Sequence, residues 1–86
     1  AEMLKKDGYK KIKAIKEISA LKDPRALKYL LPLLEDESIV IKVNTIHAIE
    51  TLGAKEAIPC LEKLREDKSK EIREKAIKAI DSIMNV

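Results

Sequence analysis

The chain has 86 residues and a net charge of +3, with 38% charged and 45% hydrophobic residues, no Phe or Trp, and only five Gly and Pro together. That length sets one domain, with an aliphatic core that buries about 60–65% of the unfolded surface. So few turn residues exclude a sheet protein, so many aliphatics exclude disorder, and the single cysteine, Cys60, excludes an internal disulfide. No apolar run approaches the ~18 residues of a membrane span, and the expected compartment is the cytoplasm.

In chain order, residues 1–7 read as an arm or a partial helix. Five helices follow, over 8–21, 24–35, 39–52, 55–66 and 70–84, each an ordinary 12–15 residues with apolar positions three or four apart. Asp23-Pro24 is a start signal, because Asp caps free N–H groups and Pro suits the first helical position. Pro32 lies deeper and is expected to kink the second helix. Asp36 or Ser38 and Asp67 or Ser69 can cap the third and fifth helices, Gly53 suits a left-handed stop, and Pro59 belongs in a first turn.

An internal repeat of 31 residues organises these helices. Ile15, Ile46 and Ile77 form one column, Ile18, Ile49 and Ile80 another, and Leu21, Leu52 and Ile83 a third. Leu27 with Ile58, Leu30 with Leu61 and Leu33 with Leu64 repeat in the same way. We call 24–35 and 55–66 the A helices, and 8–21, 39–52 and 70–84 the B helices. Neither kind buries its stripe alone, so stacking must make the core: the expected fold is an all-α superhelix, a solenoid of helical hairpins over 8–86.

Leu21-Lys22-Asp23-Pro24-Arg25-Ala26-Leu27, with Ile41-Lys42 and Ile72-Arg73-Glu74-Lys75-Ala76, resembles the short HEAT-like repeats first grouped with phycobilisome lyases. Ala54-Lys55-Glu56-Ala57 departs from the D-P-R-A opening, Lys11 and Lys42 stand where Arg is usual, and Thr45 replaces Ala. The resemblance implies a binding scaffold whose B helices line a concave face. Bilin-lyase activity belongs to a subset of the family and is kept as a remote alternative.

No cofactor, metal or catalytic group is expected. His47-Ala48-Ile49-Glu50 offers one His and one Glu, which do not complete a coordination sphere, and Cys60 has no predictable base beside it. Glu71/Lys75 and Glu74/Lys78 have the spacing of solvated helix pairs.

Charge placement points to a binding face. Residues 1–28 sum to +5, 29–58 to −3 and 59–86 to +1. The B helices align Lys11, Lys42 and Arg73 in one column, Lys16, His47 and Lys78 in the next, and Lys13, Asn44 and Lys75 in a third. Such a ladder, rising ~10 Å per repeat, fits a protein partner's acidic segment, with nucleic acid or another anion as the alternative. The competing structural reading pairs the first column with Asp36 or Asp67.

Three further expectations concern apolar residues. Leu31 and Leu34 replace the pattern of Glu62 and Arg65 and are expected to form an exposed patch unless Met3 and Leu4 cover it. At the amino-terminal end Lys10 and Glu17 replace aliphatics, so they should be exposed while Ile15 and Ile18 are buried. The last helix keeps Ile77, Ile83 and Met84, and end-to-end or two-fold self-association through it, or continuation in a longer array, is expected.

Overall fold

The computed structural model describes the backbone of residues 2–85 and the side chains of residues 8–85. Five helical segments result, and there is no strand among the described residues. α1 is Glu2–Leu21, α3 is Ile39–Leu52 and α5 is Lys70–Met84. Segment α2 (24–35) joins a 3-10 turn (Pro24–Ala26), one α turn (Leu27–Leu30) and a 3-10 stretch (Leu31–Glu35). Segment α4 (55–66) repeats that composition with Lys55–Ala57, Ile58–Lys63 and Leu64–Glu66. α1, α3 and α5 are the B helices, and α2 and α4 are the A helices. Residues 2–7 continue α1, so the expected arm is part of that helix.

The helix ends follow local chemistry. Asp23 caps α2 by accepting the Arg25 N–H at 2.9 Å, with Pro24 next. Ser38 and Ser69 cap α3 and α5 by accepting the Ile41 and Ile72 N–H groups at 3.3 and 3.4 Å. Asp36 and Asp67 brace those caps by accepting the Ser38 and Ser69 N–H groups at 2.8 and 2.9 Å. Pro59 falls in the first turn of the α-helical part of α4. Pro32 lacks the N–H that would reach back one turn, and the chain around it winds as a 3-10 helix.

α3 stacks between α1 and α5, while α2 packs on α3 and α4 on α5. Two layers result, with the core between them: Ile15, Leu30, Ile46, Ile49, Leu61 and Ile83 are buried. The hairpin preceding α1 has no A helix among the described residues. Thr45, at a position where Ala is usual, is buried without penalty because its hydroxyl donates to the Ile41 carbonyl at 2.7 Å.

α3 ends on Gly53 at φ 63°, and α1 ends on Lys22 at φ 51°, the equivalent position one repeat earlier. A side chain in that conformation costs about 1 kcal/mol that glycine avoids. Lys22→Gly is expected to raise the melting temperature by roughly 4–8 °C. A circular-dichroism melt no higher than wild type would contradict this.

Candidate functional site

The structure separates the basic columns. Lys11 Nζ donates to Asp36 Oδ2 at 2.8 Å, and Lys42 Nζ donates to Asp67 Oδ1 at 2.7 Å. Arg73 Nη1 donates to the carbonyls of Asp67 at 2.7 Å and Lys68 at 3.1 Å. The first column therefore fastens each B helix to the turn before a following or its own B helix. Lys42 and Asp67 are well covered, their side chains 16% and 11% accessible. The Lys11 ammonium, then the Ser38 N–H, holds the Asp36 carboxyl below the usual carboxylate range. The Lys42 ammonium and the Ser69 N–H do the same for Asp67. These residues are structural in this fold, which removes Lys11, Lys42 and Arg73 from an open basic ladder.

Lys16, His47 and Lys78, by contrast, are all exposed, as are Lys13 and Lys75. They sit on the side of the B helices turned away from the A layer. Asn44, His47 and Glu50 of α3 and Lys75 and Lys78 of α5 line a groove floored by Val43 and Ile46. The i,i+4 spacings Glu71/Lys75 and Glu74/Lys78 do not close into salt bridges. The described salt bridges link Lys11 to Asp36, Arg25 to Asp23, Lys42 to Asp67 and Arg65 to Glu62. Neither of the groove's two lysines has a salt bridge among the described residues. Tyr9 and Val40, also exposed, add apolar surface along the same side.

Three sequence expectations need correction. Leu34 is buried and Leu31 half-buried, so they form no exposed patch. They meet Cys60, Lys63 and Leu64 of α4 at the α2–α4 junction. Leu34 stands four residues from the buried Leu30, on the same side of the segment, and α4 of the following repeat lies across it. Met3 and Leu4, the other candidates to cover them, lie outside the residues whose side chains are described. At the amino-terminal end Lys10 and Glu17 are exposed and Ile15 is buried as expected, but Ile18 is only half-buried, because no A helix precedes α1 among the described residues. At the other end Ile83 is buried at 1% accessibility, while Ile77 and Met84 are 49% and 62% exposed. Ile83 belongs to the buried core and cannot take part in a surface contact.

Among the described residues no group of three His, Cys, Asp or Glu side chains is gathered to hold a metal, and no helix is long and apolar enough to cross a membrane. A comparison with protein families finds HEAT repeats over residues 1–83. The chain belongs to the HEAT repeat family. HEAT repeats are in general protein-interaction scaffolds and typically non-catalytic. No curated protein and no solved structure matches the chain. In this HEAT domain the Asp36 and Asp67 turns, one per repeat, carry both a helix cap and an inter-repeat ion pair.

Proposed function

We propose that this HEAT domain is a non-catalytic scaffold that holds an acidic segment of a protein partner on the exposed side of α1, α3 and α5. The observation that carries the reading is the groove between α3 and α5, which His47, Lys75 and Lys78 line together with Glu50, and in which neither lysine has a salt bridge among the described residues. Lys13 and Lys16 extend the cationic surface across α1, and Tyr9 and Val40 supply apolar contact. Opposite charge steers such a segment to the face, and desolvated side chains hold it.

We also assign the chain to the short-repeat type first grouped with phycobilisome lyases, on Asp23-Pro24-Arg25-Ala26 and Ile72-Arg73-Glu74-Lys75-Ala76. That is a sequence type and not an activity. The single cysteine and charged surface favour the cytoplasm. Self-association through α5 would rest on Ile77 and Met84, since Ile83 is inside.

Titration with a labelled acidic peptide, against wild type and a Lys16→Glu, Lys78→Glu variant, tests the scaffold. Loss of roughly ten-fold or more in affinity is expected, about 1.4 kcal/mol. Equal binding by the two proteins would remove this face as the site. Tighter binding of a single-stranded oligonucleotide, with a steep salt dependence, would favour the nucleic-acid alternative instead.

A further inference from the structure

The two ends of the solenoid are finished differently. Position by position, the residues of α2 and α3 that face the following repeat are Leu31, Leu34, Ile39 and Val43. One repeat later the same positions carry Glu62, Arg65, Lys70 and Glu74, all exposed. Glu62 and Arg65 neutralise each other at 3.3 Å. Both layers thus carry charge at the carboxy-terminal face, around the exposed Ile77 and Met84.

The amino-terminal end is charged in one layer only. Lys10 and Glu17 replace aliphatics on α1, but Leu21 and Tyr29 stay 76% and 61% exposed. Together with Ile18 and Ala26 they line a largely apolar cleft edged by Lys28 and by Arg25 and Asp23, which are paired with each other at 2.7 Å. One repeat later the counterparts of Leu21 and Tyr29, Leu52 and Cys60, are half-buried, while Ile49 and Ile80, the counterparts of Ile18, and Ile83, the counterpart of Leu21 two repeats later, are buried. The reason is that α3 is covered by α2 and α5 by α4. Among the described residues α1 has no such cover: the helix continues through residues 2–7, at the positions where the capped Asp36-to-Ser38 turn separates α2 from α3 in the next repeat.

We infer that this end is a docking slot for an amphipathic helix of about three turns, with acidic residues on its flanks, supplied by another protein. A helix there would complete the first hairpin in the relation α2 bears to α3 and α4. A second copy of this chain, slot against slot, would bring the +5 of residues 1–28 against itself. A second copy's carboxy-terminal face offers mainly charge, with Glu62, Arg65, Lys70 and Glu74 beside the exposed Ile77 and Met84, where the slot is largely apolar. An acidic helix meets both needs: leucines for Leu21 and Tyr29, and carboxylates for Lys22 and Lys28. This surface is distinct from the groove holding Lys75 and Lys78.

A labelled peptide of residues 24–35, held helical by a side-chain staple and carrying Arg25→Glu and Lys28→Glu, is the probe for fluorescence anisotropy. Wild type is expected to bind it at least ten-fold more tightly than the unsubstituted stapled peptide. Leu21→Glu, at a position exposed enough to leave folding intact, is expected to lose at least ten-fold. Lys16→Glu, Lys78→Glu is expected to bind it unchanged, which separates this slot from the B-helix groove. Equal binding by wild type and Leu21→Glu, or preference for the cationic peptide, would overturn the inference. So would a wild-type dimer that Leu21→Glu dissociates in sedimentation, since a second copy would then fill the slot.

Discussion

Ile83→Glu is expected to unfold the domain, whereas Ile77→Glu is expected to melt within a few degrees of wild type. The two isoleucines lie six residues apart on α5 and look alike in the sequence, yet one is 1% and the other 49% accessible. Replacing Ile83 forfeits about 2–3 kcal/mol of apolar burial. It also forces a carboxylate into a site without a partner, costing several kcal/mol more whether the group stays ionised or takes up a proton. An 86-residue domain has roughly 4–13 kcal/mol of stability in total. At Ile77 the new carboxylate stays in water, and its neighbours Glu74 and Asp81 add only a few tenths of a kcal/mol of repulsion. Circular dichroism melts of the two variants side by side make the test. Equal melting temperatures would show that α5 does not bury the face described. Ile77→Glu is also the variant to use for probing association through α5, because it leaves the fold standing.

Removing Asp67 is expected to be the largest effect of any polar substitution. Its carboxylate accepts from Lys42 at 2.7 Å and from the Ser69 N–H at 2.9 Å, joining α3 to the start of α5. Asp67→Ala should cost about 2 kcal/mol, since it leaves a well-covered ammonium and a cap N–H without their acceptor. Asp67→Asn keeps an acceptor for Ser69 and should cost about 1 kcal/mol. In a double-mutant cycle Lys42→Met and Asp67→Asn should couple by about 1 kcal/mol; strict additivity would refute the ion pair.

The same pair shapes the acid response. Asp36 and Asp67 titrate below the usual carboxylate value in the folded chain, so the unfolded chain binds more protons as pH falls. Their stabilisation is therefore complete above the ordinary Asp value of about 3.9 and is lost as pH drops through the depressed folded values. Urea titrations from pH 5 downward should show wild type losing its advantage over an Asp36→Asn, Asp67→Asn variant below about pH 4. A constant difference across that range would mean the carboxylates are not held down by their partners.

Much of the fold was legible because its determinants are local. Asp23-Pro24, Ser38, Gly53 and Ser69 each act through hydrogen bonds or dihedral angles within three residues, so the helix ends could be placed from spacing alone. The 31-residue columns carried the stacking, since a buried position must recur wherever the neighbour recurs. The Lys42–Asp67 pairing was visible as one of two alternatives. Its choice needed the 25-residue separation to close in space, which only helix packing sets.

The candidate surface was less legible. Lys11 and Lys16 are both lysines on one helix, and nothing in their order says that one meets Asp36 while the other meets water. The amino-terminal cleft was missed, although its signal was present: Leu21 and Tyr29 keep apolar character where Lys10 and Glu17 do not. By itself the sequence determined the helices, their caps and the period of the stack. The tertiary structure decided the rest: the cover that α4 gives Leu34, the half-coverage of Ile18, and which lysines meet an aspartate. Those outcomes depend on what lies opposite a side chain, and that is set by the angle at which two helices meet rather than by either helix's own residues.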